Sequence, residues 1–337
     1  SNGAAVNDGA KMTITANYVD NLTNRTADKN VVRGGGGNVT AKDIAYNVKI
    51  DAANGGKNYQ LSDGIHPAVD AENGLNLDAA GTISPRKITL GFANVSKPYD
   101  TTAVNNTKNI ASVTAGNSDG RGAAALAADG ITSASFNTAG VQSFYGAGNT
   151  DRTFVQNPNV VTDANGNVIT NGKDVQYSNL ANTLAARPYA GNYEVADTAY
   201  GKGTIRKRTV TANDFSFSID PARKMYDGTR DVVWTDPVTR KSYKDMAHVK
   251  KHFQTSTLDL GGGNTVPINL DDISLNSAQY NDANVALANS VDYNVTINTT
   301  NFDFSGTRNK NIHHTGDTIT RRDLATLLPQ HLIKEYD

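Results

Sequence analysis

Cysteine is absent from the 337 residues. With it go disulfides, thiolate nucleophiles and every metal site built on sulfur. A chain that crosses a cell envelope unfolded must avoid cross-linking on the way, and a complete lack of cysteine fits that route. Tryptophan occurs once and proline nine times. Long apolar runs are missing too: none approaches the ~18 residues of a membrane-spanning helix, and mean hydropathy is -0.48, so no membrane insertion is expected. The chain opens with no signal-peptide pattern, and the sequence that follows Ser1-Asn2-Gly3 reads as mid-protein. Neither sign of charge dominates, with 32 basic against 33 acidic residues. A nucleic-acid partner would need a concentrated basic face. The one basic cluster, Arg206-Lys207-Arg208, reads as a solvated strand end.

What is present is glycine (30 residues) together with much Asn, Thr, Ala and Asp, while charged residues are only 19%. Gly, Asn and Asp populate turns and tolerate positive φ; Thr and Val favour strands. Many short strands joined by Asn/Gly/Asp turns is the expected pattern.

Ordered motifs recur along the chain. A "Y-D" turn appears as Lys97-Pro98-Tyr99-Asp100-Thr101-Thr102 and as Lys224-Met225-Tyr226-Asp227-Gly228-Thr229, and Lys334-Glu335-Tyr336-Asp337 begins a third copy. An "N-Y-x-hydrophobic" strand is read at Asn58-Tyr59-Gln60-Leu61, Asn192-Tyr193-Glu194-Val195 and Asp292-Tyr293-Asn294-Val295. A "T-I" strand runs into basic residues after Thr82-Ile83, Thr204-Ile205 and Thr318-Ile319. Asp43-Ile44-Ala45-Tyr46 resembles Asp174-Val175-Gln176-Tyr177, with Gln279-Tyr280 in the corresponding place. The order is the same each time. It predicts an incomplete module over 1–86, complete modules over 87–208 and 209–322, and the start of another over 323–337, each an independent domain rather than a solenoid rung.

Period-two stretches such as 43–50 and 294–298 predict strands, and Asn165-Gly166 between two β-prone runs predicts a hairpin. Tyr243, Met246, Val249 and Phe253 recur at helical spacing, so a short amphipathic helix is expected within 244–253, with the Ala-rich stretch 122–129 as its counterpart. The predicted fold class is mainly β: tandem, elongated β-rich modules, β-grasp-like or immunoglobulin-like, each with at most one short helix.

The Y-D-G-T turn, the N-Y-x-Φ strand and the T-I exit into Arg or Lys together resemble the YDG repeat of filamentous-haemagglutinin-like bacterial surface adhesins, which are exported by two-partner secretion. The resemblance covers nearly the whole chain, most clearly 87–337. It departs at Asp100-Thr101, where the glycine is replaced, and an altered turn is expected there. The resemblance implies a secreted or cell-surface location, a stalk or biofilm role with neighbouring modules of the same chain as partners, and no catalytic residues. Tyr99, Tyr226, Asp100 and Asp227 are then core or intermodule anchors and turn formers.

His248 and His252 have metal-ligand spacing on the expected helix, with no third ligand in the sequence. Asp163, Asn165 and Asn167 are calcium candidates, as are Asp271-Asp272, although the acidic residue that closes a calcium loop is missing after Asp163. Gly34 to Gly37 lack the Lys-Ser/Thr and following helix of a phosphate loop. No nucleophile-base order stands out, so no enzyme activity is expected. The first functional expectation is a stalk that spaces or presents a binding region. The alternative is an adhesive module that itself holds host glycan or protein through the variable stretches 103–176 and 230–272, with Tyr145, Tyr189 and Trp234 as sugar-stacking rings.

Overall fold

A computed structural model describes residues 11–147 and 153–323; Tyr336 and Asp337 lie outside the described residues. Over the described residues the protein is mainly β with two short α-helices. It divides into two compact units, one of residues 1–93, 108–142 and 177–201, the other of 94–107, 143–176 and 202–337. The motif boundaries at 86–87 and 208–209 each fall inside one unit.

The first stretch contains β1 (Met12–Tyr18), β2 (Lys42–Ile50), a two-residue pair β3 (Gln60–Leu61) and β4 (Val69–Asp70), and β5 (Leu75–Gly81). β1, β2 and β5 form an antiparallel sheet in that order. Tyr18 closes β1, and its hydroxyl donates to the Thr82 carbonyl at 3.1 Å. Gly81 makes room for this: a Cβ there would lie 2.7 Å from Ile44 Cδ1 and 2.9 Å from the Tyr18 hydroxyl.

The second stretch contains β6 (Arg86–Phe92), β7 (Val95–Pro98), β8 (Ile110–Ala115), α1 (Gly122–Ala128), β9 (Gln142–Tyr145), β10 (Lys173–Ser178), β11 (Tyr193–Val195) and β12 (Ala199–Arg206). β6 is flanked by antiparallel β8 and parallel β11. Ile88 and Leu90 are buried, and Phe92 stacks on Tyr177 with ring centroids 3.6 Å apart. The other sheet has the order β7-β12-β10-β9, with β7 parallel to β12. Gly203 repeats the role of Gly81: a Cβ there would lie 2.6 Å from Tyr145 Cε1 and 2.8 Å from Val175.

The third stretch contains β13 (Arg208–Val210), β14 (Phe215–Ile219), β15 (Arg223–Met225), β16 (Trp234–Thr235), β17 (Ser242–Tyr243), α2 (Met246–Val249), β18 (Phe253–Asp259), β19 (Thr265–Ile268), β20 (Ile273–Tyr280), β21 (Ser290–Ile297), β22 (Phe302–Phe304), β23 (Asn309–Thr315) and β24 (Thr318–Thr320). β20-β21-β23 is antiparallel, β14-β18-β19 is a second antiparallel sheet, and β13–β22 and β15–β24 are parallel pairs. Alternation along β20 and β21 places Ile273, Leu275, Ala278, Tyr280, Val291, Tyr293 and Val295 in one core with Phe253 and Val249. Asp317 stands where the other copies have Gly81 and Gly203. It is fully buried, accepts the Ala222 N–H at 2.6 Å and pairs with His314 Nδ1 at 2.8 Å, which is how a buried carboxylate is satisfied.

The helix expected over 244–253 is shorter than its apolar spacing predicts. Asp245 caps α2, which gives way to a 3-10 turn over Lys250–His252, and Phe253 already starts β18. The aromatic ring is drawn into the sheet core, between Phe217 and Tyr293. α1 and α2 also differ in position: α1 follows β8, whereas α2 precedes β18.

Candidate functional site

The Y-D turn is built around a lysine. Lys97 lies on β7 opposite Ile205 of β12, and Lys224 on β15 opposite Ile319 of β24. The parallel pairing continues one step, with Tyr99 N–H bonded to Arg206 O at 2.9 Å and Tyr226 N–H to Thr320 O at 2.8 Å. Lys97 Nζ donates to Asp100 Oδ1 at 2.7 Å, Thr102 O at 2.7 Å and Thr102 Oγ1 at 3.0 Å. Lys224 Nζ donates to Asp227 Oδ1 at 2.7 Å, Thr229 O at 2.8 Å and Thr229 Oγ1 at 3.0 Å. Both aspartates accept the N–H two residues on, at 3.0 Å. Each ammonium sits over a buried tyrosine ring, Tyr145 at 5.6 Å and Tyr280 at 5.7 Å.

The glycine replacement does not alter the turn. Thr101 takes φ 65° where Gly228 takes φ 79°. The lysine and aspartate bonds dictate the path, and Thr101 is held left-handed by them. Burial opposes ionisation of Asp227, but the bonds from Lys224 and Thr229 outweigh it and hold the carboxyl down at about 2. Asp100 is lowered by the same balance.

A second constellation joins consecutive stretches, and it occurs once within each unit. The Asn192 side chain accepts the Val31 N–H at 2.8 Å and donates to Asn30 Oδ1 at 2.9 Å. The Asn301 side chain accepts the Val160 N–H at 2.8 Å and donates to Asn159 Oδ1 at 3.0 Å. After each of these asparagines an aromatic residue opens a strand paired in parallel with the strand leaving the T-I motif: Tyr193 opposite Arg86, Phe302 opposite Arg208. Phe302 meets Tyr99 edge-on with centroids 5.2 Å apart, and Tyr99 is only 8% exposed.

The receiving loop has its own signature. Asp28-Lys29-Asn30-Val31, Asn157-Pro158-Asn159-Val160 and Asp282-Ala283-Asn284-Val285 each have the first side chain accepting the N–H two residues on, at 2.9, 2.8 and 2.7 Å. This four-residue pattern is visible in the sequence and was not among the expected motifs. Beneath the first loop, the buried ammonium of Lys42 pairs with Asp28. At the second, Lys173 donates to Asn159 O at 2.8 Å, but Asn157 brings no carboxylate. Burial and the Lys97 charge push Lys173 down to about 8.

The remaining expected residues fall as follows. Tyr59 follows a 3-10 turn over Gly56–Asn58 with the same extended backbone as Tyr193, φ -129° against -130°. Tyr293 lies in the middle of β21, so the residue that matches Tyr193 in strand pairing is Phe302. The Tyr293 hydroxyl is buried with no hydrogen-bond partner among the described residues. Asp163 Oδ1 accepts N–H groups of Asn165 and Asn167, both at 2.9 Å, and Oδ2 accepts the Asn167 amide at 3.2 Å; Gly166 takes φ 80° in this hairpin turn. The carboxylate is thus engaged by its own loop. His248 and His252 diverge, the first pairing with Asp245 at 2.8 Å and the second with Val233 O at 3.0 Å. Among the described residues no three His, Asp or Glu side chains gather as metal ligands would. Of the expected sugar-stacking rings, Tyr145 is fully buried, a correction that follows from its place beneath Lys97. Tyr189 is exposed, and Trp234 carries Lys251 over its face at 4.3 Å.

No family model, curated protein or solved structure matches this chain.

Proposed function

We propose that this chain is a non-catalytic run of β-rich repeat modules in series from the stalk of a large bacterial cell-surface or biofilm adhesin of the YDG-repeat, filamentous-haemagglutinin-like kind, where it spaces or presents a binding region. The observation that carries the proposal is the recurrence of one junction. Asn192 on Asn30-Val31 and Asn301 on Asn159-Val160 make the same bonds at the same lengths within about 0.1 Å. A junction that is hydrogen-bonded and short suits a segment whose work is to hold spacing, since a tether of flexible linkers would not transmit orientation. The partners are neighbouring modules of the same chain.

Small-angle X-ray scattering on the protein, with and without calcium, tests this. An elongated particle of unchanged maximum dimension in both conditions is expected. A compact particle would overturn the series arrangement, and elongation only with calcium would make the Asp163 turn a ligand.

The alternative, a unit that binds host glycan or protein itself, draws on one feature. Tyr243 stacks on His248 at 4.1 Å beside Trp234, and all three rings are partly exposed. A glycan array read with Trp234→Ala as control decides it: binding lost in the variant favours this reading, and an array without hits removes it.

A further inference from the structure

The joining asparagine of each unit lines a cleft, and the two clefts have different walls. Beside Asn301 the wall comes from 267–272 and brings one carboxylate, Asp272. Beside Asn192 the cleft is larger, about 900 Å³, and its wall comes from α1 and the turn before it. That volume is within the range of small-molecule sites. All of its lining residues belong to the unit that contains α1.

Charge in the Asn192 cleft does not cancel. Lys29, Arg86, Lys87 and Arg121 face two carboxylates, Asp119 and Asp129. Both carboxylates are already engaged. Asp119 pairs with Arg86 and accepts the Arg121 backbone N–H at 3.0 Å. Asp129 accepts Lys29 Nζ at 3.2 Å and the Tyr193 hydroxyl at 2.9 Å. Lys87 and Arg121 are left over: among the described residues neither side chain has an ion-pair or hydrogen-bond partner. The rest of the lining is largely apolar, and Val31, Ile83, Pro85 and Ala125 are only half-buried. Covering such surface is favourable, and a free guanidinium or ammonium gains from a charged acceptor. A neutral ligand would serve only the first need. A polyanion needs a row of cations along an open face, and two in a cleft do not supply one.

We infer that this cleft is a binding site for an amphipathic organic anion, a carboxylate or sulfonate head held by Lys87 and Arg121 with an apolar ring or acyl body laid along Val31, Ile83, Pro85 and Ala125. The planar fork of Arg121 suits a head with two or more oxygens, and Lys87 adds a point charge beside it. The site lies within one unit, so it stands or falls separately from the arrangement of modules in series.

Fluorescence titration of the full chain with anilinonaphthalene sulfonate tests it, with phenylnaphthylamine, the same rings without the sulfonate, as the uncharged counterpart. The sulfonate is expected to bind saturably and more tightly than the uncharged probe. Lys87→Ala and Arg121→Ala each weaken it about tenfold, the worth of one charge-assisted hydrogen bond, and leave the uncharged probe unchanged. Ala124→Trp, on the exposed side of α1, fills the cleft and weakens both probes. All three positions are exposed, so the variants keep the thermal midpoint of the parent chain. Competition with laurate and with naphthoate separates the two sources of such an anion: the better competitor names an acyl or an aromatic body. Sulfonate binding that survives both cation substitutions, an uncharged probe that binds equally well, or no saturable binding at all overturns the inference.

Discussion

Thr101→Gly should stabilise the protein, against the usual direction for introducing glycine. Thr101 sits at φ 65°, the place Gly228 fills at φ 79° in the other turn. A left-handed backbone costs an L-residue roughly 1–2 kcal/mol, and a β-branched side chain there is an outlier. Glycine relieves that strain but gives the unfolded chain more freedom, worth roughly 0.5–1 kcal/mol. Among the described residues no hydrogen bond of the Thr101 side chain offsets the balance, so a net gain of about 0.5–1 kcal/mol remains. For a unit of this size that is a rise in Tm of roughly 1–4 °C. Gly228→Ala supplies the reciprocal: its Cβ would meet nothing within 4 Å, so only the backbone term changes, and a loss of about 1 kcal/mol is expected. Thermal and urea denaturation of the parent and both variants, followed by circular dichroism, measures the pair. A Thr101→Gly chain that is less stable than the parent, or a Gly228→Ala chain that matches it, would refute the claim that the lysine clamp holds both turns left-handed at a backbone cost.

Three further substitutions probe the interior. Lys173 is held at about 8 against ~10.4 for a free lysine, so between these values the unfolded chain binds more protons and stability rises with pH, by at most about 3 kcal/mol over the window. Denaturation between pH 7 and 9.5, below the range where the buried phenols of Tyr280 and Tyr293 oppose the trend, should show the rise. Asn157→Asp, which supplies the carboxylate that Asp28 gives Lys42, should flatten it and raise stability at neutral pH; an unchanged slope would show that Lys173 is not its source. Tyr293→Phe removes a buried hydroxyl with no partner and should leave stability equal or higher by up to about 1 kcal/mol, a result checked by urea midpoint and contradicted by a loss. Asn301→Ala removes both side-chain bonds of the second junction, and the buried Val160 N–H loses its acceptor, so a loss of about 1–3 kcal/mol is expected. Amide hydrogen exchange at Val160 should accelerate with it, and unchanged protection there would deny the bond.

The β-rich character, the hairpin at Asn165-Gly166 and the equivalence of the two Y-D turns were legible because they depend on neighbours in the chain. The same local reasoning misplaced what depends on distant ones. Asp292-Tyr293-Asn294-Val295 shares its tyrosine and valine with Asn192-Tyr193-Glu194-Val195, but partners across the sheet decide strand position, and these give the place to Phe302. Thr101 looked like a break in the turn, whereas Lys97 and Asp100 impose the glycine-like path on it. Tyr145 looked available for a sugar until the sheet placed it beneath a lysine. The Asn-Val loops were readable as a recurring pattern, yet their meaning lay in asparagines about 140 to 160 residues away in sequence.

By itself, then, the sequence determined the strand-and-turn composition and the recurrence of the Lys-x-Tyr-Asp-x-Thr motif, because alternation, turn chemistry and short-range side-chain bonds act over a few residues. Only the tertiary structure decided that the lysine is the buried centre of that motif, that the asparagine before the aromatic strand is the joining residue, and that Tyr99 is covered by Phe302. Burial and hydrogen-bond satisfaction are set by whatever chain folds against a residue, and that information is not carried in its neighbours.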